Sequence, residues 1–445
     1  MSTFRCQVGS VVCVLLLVSA FPAAAQTNAE VNAGFQFNLT APGARSLGLG
    51  GAFVAMADDA TAAYSNPAGL TALSRPEVSA EVRNWSFTNT YTDRGRASGT
   101  PSGIGVDTLA GLHQGSDHER ATGLSFLSIV YPRERWAVAL YRHELAVFKG
   151  SFQAQGAFLD GPDRLRSTQN SLHLNIVNLG LSASFHCTED LSLGAGISLY
   201  DLNLGSQTRR YHLALPPNNP SAGGNAGPPL YAAENLEDTQ SQAADDRTLG
   251  LNVGALWRVS SAWRLGAVYR QGPDFAVDAA YAPGPKAAPG VQGFTRKARF
   301  NIPDVFGLGV SYLPAETTTV TLDLVRTRYS DLTRSFTNIF PDLSPDEPGR
   351  YRVNDTNEVH LGFEQIFAVR AGLLLAGRLG SWYEPDHHIR YTGTRADFRA
   401  LFQGGDGHLH GAAGIGLIGQ RFQLDAAFDY SEQVKTASLS TVVRF

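Results

Sequence analysis

The stretch that decides the fold is GFQFNLTAPGARSLGLGGAFVAMADDATAAYSNPAGLTAL, running from Gly34 to Leu73. It has no two-residue alternation and does not read as a strand. Gly48, Gly50 and Gly51 permit close backbone approach and positive φ, while Ala52, Val54, Ala55, Ala57, Ala60, Ala62 and Ala63 suit short, tightly packed helical turns. An acidic pair, Asp58 and Asp59, lies ahead of a turn at Asn66, Pro67 and Ala68. A segment this rich in small apolar residues packs inside something. The chain beyond it is a long series of alternating strands, so the expected architecture is all-β: a barrel wall over 77–445, with 26–76 as an N-terminal plug of short helices in its lumen.

The residues before the plug read as a secretory signal over 1–25. Arg5 is its basic end, Val11 to Ala20 its apolar core and Ala23, Ala24 and Ala25 its cleavage site. The apolar run falls short of a membrane-spanning helix, and no later run is long enough for one. Cys6 and Cys13 fall within the signal, so Cys187 has no partner for a disulfide. Neither signal cysteine follows the apolar core as a lipid attachment site requires. A formal charge of −4 gives no reason to expect nucleic acid as a partner.

From Glu77 onward fourteen strand-like segments follow, joined by alternately short and long connections. Short ones fall near Pro132 to Glu134, Thr188 to Asp190, Ser260 and Ser261, Pro314 to Glu316, Phe367 and Ala368, and Gly419 and Gln420. Long ones cover 93–120, 151–165, 211–246, 282–294, 331–354 and 385–407. Short turns on one rim and long loops on the other are the pattern of a transmembrane barrel with its long loops outside the cell. In the strands, Phe422, Leu424, Ala426, Phe428 and Tyr430 oppose Gln423, Asp425 and Asp429, and Val359, Leu361 and Phe363 oppose His360 and Glu364. A sandwich would bury the apolar face, whereas a barrel turns it to lipid. The alternating final strand ending on Phe445 resembles the signal read by the barrel assembly machinery and, with export and loop asymmetry, favours the barrel. Trp85, Tyr131, Trp136, Trp257, Trp263 and Tyr269 are then expected in the interfacial girdles.

The third strand breaks its own alternation. Trp136, Val138 and Leu140 share one parity, and Leu145 and Val147 resume on the other, with Arg142, His143 and Glu144 between them. A one-residue slip means a bulge or kink.

The run GARSLGLGGAFVAMADDATAAYSNPAGL resembles the plug of the FadL-type outer-membrane transporters of long-chain fatty acids and hydrocarbons. The stretches IPDVFGLGVSYLP from Ile302, VTLDLVRTRYSDL, NEVHLGFEQIF and GRLGSWYEPD resemble strand pairs of that family. The resemblance implies a fourteen-stranded barrel occluded by its N-terminal segment, a ligand pocket next to the plug, and sideways release at a kinked third strand. Arg142, His143 and Glu144 are then the residues expected near the lateral opening. Gly48, Gly50, Gly51, Asn66, Pro67 and Ala68 are the candidates for plug movement, although the glycines serve equally for close packing.

A plugged lumen disfavours an open porin for hydrophilic solutes and favours a hydrophobic cargo, exchanged with outer-membrane lipids. If that cargo is a fatty acid, a lumenal cation should meet its carboxylate, and Arg270 and Arg378 lie on the polar parity of their strands. Pairing with Asp323, Glu358, Asp425 or Asp429 is the competing use of these arginines, and an aromatic hydrocarbon needs no cation. No Gly-x-Ser-x-Gly elbow or His-Glu-x-x-His site points to an enzyme. Asp406, His408 and His410 alternate beside a glycine-rich loop and read as a loop stem rather than a metal site. His387 and His388 point to opposite faces. No cofactor is expected. A surface-protein shuttle on the same barrel, or an outer-membrane lipid-modifying enzyme, stands as the alternative.

Overall fold

The computed structural model describes residues 37–103, 106–159, 164–212, 230–334, 350–394, 396–402 and 404–445. The expected signal, 1–25, lies outside them. Fourteen antiparallel strands form a closed barrel. In chain order they are β1 (Glu77–Arg96), β2 (Gly111–Pro132), β3 (Trp136–Ala154), β4 (Ser167–His186), β5 (Leu191–Tyr211), β6 (Leu236–Arg258), β7 (Trp263–Arg270 and Asp274–Pro283) and β8 (Phe294–Asn301 and Val305–Ala315). The circuit continues with β9 (Thr318–Thr327), β10 (Thr356–Arg370), β11 (Leu373–Glu384), β12 (His408–Gly419), β13 (Phe422–Tyr430) and β14 (Val434–Arg444). Closure comes from β14 against β1, where Glu77 opposes Arg444 and Phe87 opposes Val434.

Two strands are interrupted for a local reason. Pro273 and Pro303 sit in the gaps of β7 and β8, and proline has no N–H for a ladder. Asp304 repairs part of the loss by accepting from the Gly272 N–H at 2.9 Å and the Tyr269 hydroxyl at 3.1 Å.

The wall is apolar outside and polar inside. On β13 Phe422, Leu424, Phe428 and Tyr430 are exposed while Gln423, Asp425 and Asp429 are buried. On β10 Val359, Leu361 and Phe363 are exposed, and His360 and Glu364 are buried. A water-soluble barrel would bury those leucines, so this inversion identifies a lipid-facing surface. Among the described residues no helix is long and apolar enough to span a membrane.

The expectations for the girdle and for one short turn change. Trp85 is buried on the lumenal side beside Phe87, because it shares the parity of Glu81 and Arg83. Tyr131, Trp136, Trp257 and Trp263 are exposed on the outer wall, and Tyr269 is half-buried. The turn placed at Phe367 and Ala368 falls instead at Ala371 and Gly372, since β10 runs on to Arg370 and Gly372 supplies the positive φ of 76°.

Inside the wall sit α1 (Ala44–Gly48), α2 (Ala62–Ser65) and a 3-10 turn, Pro67–Ala72, all largely buried. Their short span follows from the sequence: Gly50 and Gly51 adopt positive φ after α1, and Pro67 starts the 3-10 turn at the position where a missing N–H costs nothing.

Candidate functional site

The plug is fastened to the lumenal wall by polar side chains on inward strand positions. Asp323 on β9 accepts the N–H groups of Phe53 and Val54 at 2.6 and 2.8 Å. Glu81 accepts the Gly43 N–H at 2.9 Å, and the His360 ring nitrogen Nδ1 lies 2.7 Å from the Gly50 carbonyl oxygen. On the far side, Asn252 donates to the Tyr64 carbonyl at 2.7 Å, Ser182 to that of Ala63 at 2.7 Å and Ser128 to that of Ala60 at 3.0 Å.

The six residues expected to move the plug lie on this interface. Asn66 is fully buried, donates to the carbonyls of Val54 at 2.9 Å and Ala255 at 3.2 Å, and accepts the Ala68 N–H at 3.2 Å. A Cβ on Gly254 of β6 would stand 2.0 Å from the Asn66 amide oxygen, so the turn fits only a glycine-faced wall. Gly48 abuts Gly414, Gly51 abuts His360, and a Cβ on Gly380 would stand 2.0 Å from the Gly50 nitrogen. The glycines thus act in close packing in this state.

The two candidate arginines have different surroundings. Arg378 is fully buried in a chain of charges, with Nε 2.6 Å from Glu364 and Nη1 2.7 Å from Asp425. Glu364 also meets Arg45 of the plug at 3.1 Å, and Arg45 reaches Asp58 at 2.6 Å. Burial pushes the neighbouring Asp59 carboxyl of the plug above the usual carboxylate range, against the pull of Arg45. Arg270, by contrast, donates to the carbonyls of Ser65 at 3.1 Å and Leu39 at 2.7 Å and lies over the Tyr64 ring. Its Nε has no acceptor, and among the described residues it makes no ion pair. It lines a cavity of about 110 Å³ beside the plug, together with Leu39, Trp85, Phe87 and Trp382 on one hand and Glu358, Glu384 and Asp429 on the other.

The third strand is irregular where its alternation slips. The β2–β3 ladder ends at the pair Phe126 and His143, and above it β3 pairs with β4 alone. The extra residue is Leu145, one position beyond the expected segment, since the β3–β4 register shifts between Glu144 and Ala146. Arg142 lies on the outer face. Glu144 stands across the separation from Gly123 of β2, where a Cβ would be 3.0 Å from its Oε1. His143 turns inward instead, 3.2 Å from the Asn38 amide nitrogen and with its ring centroid 4.0 Å from that of Tyr64, tilted by 32°. Asn38 is a residue that sequence reasoning missed: its backbone N–H bonds the Leu145 carbonyl at 2.7 Å, and its side chain accepts from Arg83 at 2.8 Å. The signal for Arg83 was present in the shared parity of Glu81, Arg83 and Trp85, whereas nothing local marked Asn38.

Three of the histidines noted in the sequence have side-chain partners. His410 lies between Asp429 at 3.1 Å and Glu384 at 3.0 Å and stacks on Trp382. His388 bonds Asp386 and His387 stacks on Tyr329; the two rings also stack on each other at 5.7 Å instead of pointing to opposite faces, because 385–389 is not strand. Among the described residues no group of three potential ligands is arranged to hold a metal.

Residues 23–344 match the family model described as outer membrane protein transport protein (OMPP1/FadL/TodX). Among solved structures, a FadL homologue of Pseudomonas aeruginosa is 17% identical with a TM-score of 0.62, covering 93% of this chain and 100% of that one. The toluene transporter TbuX of Ralstonia pickettii is 15% identical with a TM-score of 0.52 over 92% of this chain and 99% of that one. The toluene transporter TodX of Pseudomonas putida is 15% identical with a TM-score of 0.53 over 92% and 98%. At these identities the likeness is one of fold. No curated protein matches the sequence. The family match covers most of the chain, and the plugged, lipid-facing barrel agrees with it: the chain belongs to the OMPP1/FadL/TodX family, as an outer-membrane channel for hydrophobic compounds.

Proposed function

We propose that this channel takes up long-chain fatty acids, receives the carboxylate at Arg270 beside the plug, and releases the molecule sideways where β2 and β3 part. The observation that carries the reading is the state of Arg270. Arg45, Arg83 and Arg378 are each held by carboxylates, whereas Arg270 meets only carbonyl oxygens and keeps its Nε–H unpaired. A buried charge without a counter-ion is costly, and a cargo carboxylate would relieve it through charge-assisted bonds of about 1.5–3 kcal/mol each. The cavity of about 110 Å³ is well below the roughly 300 Å³ of a typical ligand pocket, so a long chain enters only as plug residues such as Leu39 and Asn38 shift. Release between β2 and β3 keeps the chain out of periplasmic water, and Arg142 and Glu144 would border that opening. Assembly by the barrel machinery, with Phe445 as its mark, belongs to the same reading.

One observation favours a second reading. The cavity volume is near the roughly 150 Å³ that accommodates benzene, which suits an uncharged aromatic hydrocarbon. Equilibrium binding of palmitate, hexadecanol and toluene to the purified protein separates the two. Preference for palmitate over hexadecanol that disappears in Arg270→Gln supports the fatty-acid reading. Equal binding of palmitate and hexadecanol, or retention of toluene alone, moves the assignment to hydrocarbons.

A further inference from the structure

Arg142 occupies a position where a barrel strand should present an apolar side chain. The outward positions of β3 run Trp136, Val138, Leu140 and then Arg142, and the first three are exposed. A charged residue on the lipid face costs about 2–4 kcal/mol at the bilayer midplane and less toward the interface. Arg142 offsets part of this by donating through Nη1 to the Leu124 carbonyl and through Nη2 to Glu144 at 3.4 Å. Those two bonds leave the rest of its five donors unassigned.

Beside Arg142 the outer wall is hollowed. A groove of about 660 Å³ crosses the outer faces of the strands from β1 to β6, walled by Leu127, Leu140, Leu179, Leu181, Ile197 and Leu249. Among the described residues, Arg142 is the sole charged one lining it. It is an open trough, with Leu140, Leu179 and Leu249 each more than half exposed on the lipid-facing wall.

We propose that this groove is a second binding site, which receives the acyl chain of a fatty acid that has just left the lumen, with the carboxylate at Arg142. The proposal rests on the fatty-acid reading and on release between β2 and β3. Continuity carries it. Arg142 opposes Leu127 of β2, the rung adjoining the last β2–β3 pair of Phe126 and His143, so a chain emerging above that pair meets this guanidinium, which stands on the third of the six strands that the groove crosses. Charge selects the occupant, since one cation in an otherwise apolar trough suits a single chain with one anionic end. Glu144 shares the same guanidinium, so the carboxylate is held more weakly here than at Arg270, which suits a station passed on the way into the membrane.

The test is photolabelling of the full-length protein in phospholipid nanodiscs with a diazirine analogue of palmitate and with the matching diazirine alcohol, mapped by peptide mass spectrometry. The acid probe should label the lumenal residues around Arg270 and the groove around Leu140, Leu181 and Leu249. Groove labelling should exceed that on the opposite outer face at Leu361 and Leu379 severalfold. Arg142→Gln should abolish that excess and leave lumenal labelling in place, while Arg142→Lys should retain part of it. Groove labelling no greater than at Leu361 and Leu379, or equal labelling by the alcohol, with the lumen still labelled by the acid, overturns the groove site and leaves the fatty-acid reading standing. No lumenal labelling in the unmodified protein overturns that reading and the groove site with it.

Discussion

The carboxylate of Asp323 on β9 receives the backbone N–H of Phe53 in the plug at 2.6 Å, and the same Oδ2 receives that of Val54 at 2.8 Å. One buried wall residue thus satisfies two N–H groups of a segment that has no ladder of its own. In Asp323→Leu both donors lose their acceptor, at about 1–3 kcal/mol each. The expected outcome is a loosened plug in an intact barrel: higher single-channel ion conductance in planar bilayers, with unchanged heat-modifiable migration on gels. Wild-type conductance would mean that other anchors hold the plug unaided.

Gly380 faces Gly50 so closely that any side chain must displace backbone. A Cβ there would lie 2.0 Å from the Gly50 nitrogen, far inside contact distance, and Gly50 has a φ of 65° that other residues rarely adopt. Gly380→Ala should therefore shift the plug, raising its susceptibility to added protease while the strands remain protected. If digestion patterns match the wild type, the wall and not the plug has yielded.

How much of this was legible in the sequence differs by element. The strands were readable because lipid on one side and a packed lumen on the other impose a strict two-residue period, as on β13. The plug was readable because small residues and Asn66-Pro67 have few other uses in such a stretch. Trp85 faces the lumen because it shares the parity of Glu81 and Arg83 and lies in the middle of β1, away from the strand ends where girdle rings sit. Glu364 was noted as polar but not as the partner of Arg378, although the two are direct cross-strand neighbours. That register depends on where the β10–β11 turn falls, and only the positive φ of Gly372 marks its place. Asn38 carried no local signal, since its role arises from contacts with Leu145, His143 and Arg83, all distant in sequence.

Arg378 and Arg270 should separate experimentally into support and ligand. Arg378→Met leaves Glu364 and Asp425 without their shared cation, and breaking a buried pair costs about 3–5 kcal/mol. The expected result is a lower melting temperature with the palmitate-over-hexadecanol preference retained. Loss of that preference in Arg378→Met, at unchanged melting temperature, would reassign the carboxylate contact to Arg378.

The loop between β1 and β2 is clamped by Asp107, whose carboxylate accepts from Arg96 at 2.9 Å and from the Ser102 N–H at 3.1 Å. The Arg96 hydrogen bonds hold the Asp107 carboxyl down to about 2 from an ordinary 3.8. A depressed carboxylate contributes stability that is complete above the unfolded value and is lost as pH falls through the folded one. Hydrogen-exchange protection of this loop should therefore persist from pH 7 to pH 4 and disappear only near pH 2. Asp107→Asn should weaken it already at neutral pH. Loss of protection between pH 5 and pH 4 in the wild type would show that another group controls the loop.

The proposed release between β2 and β3 is tested by a residue that narrows their separation without touching the plug. His143 does not serve, because its ring points inward onto Asn38 and Tyr64. Gly123 does: it belongs to β2 above the last β2–β3 pair, and its nearest neighbour across the separation is the Glu144 carboxylate. Gly123→Phe would meet the far end of a flexible side chain, which can turn aside, so folding should be preserved while the opening fills. Palmitate binding at equilibrium should stay as in the wild type, because Arg270 is untouched. Transfer of bound palmitate from the protein into acceptor membranes should slow by at least tenfold, corresponding to about 1.4 kcal/mol on the barrier. Unchanged transfer with the aromatic ring in place would mean that the cargo leaves by another route, through the plug or past the loops.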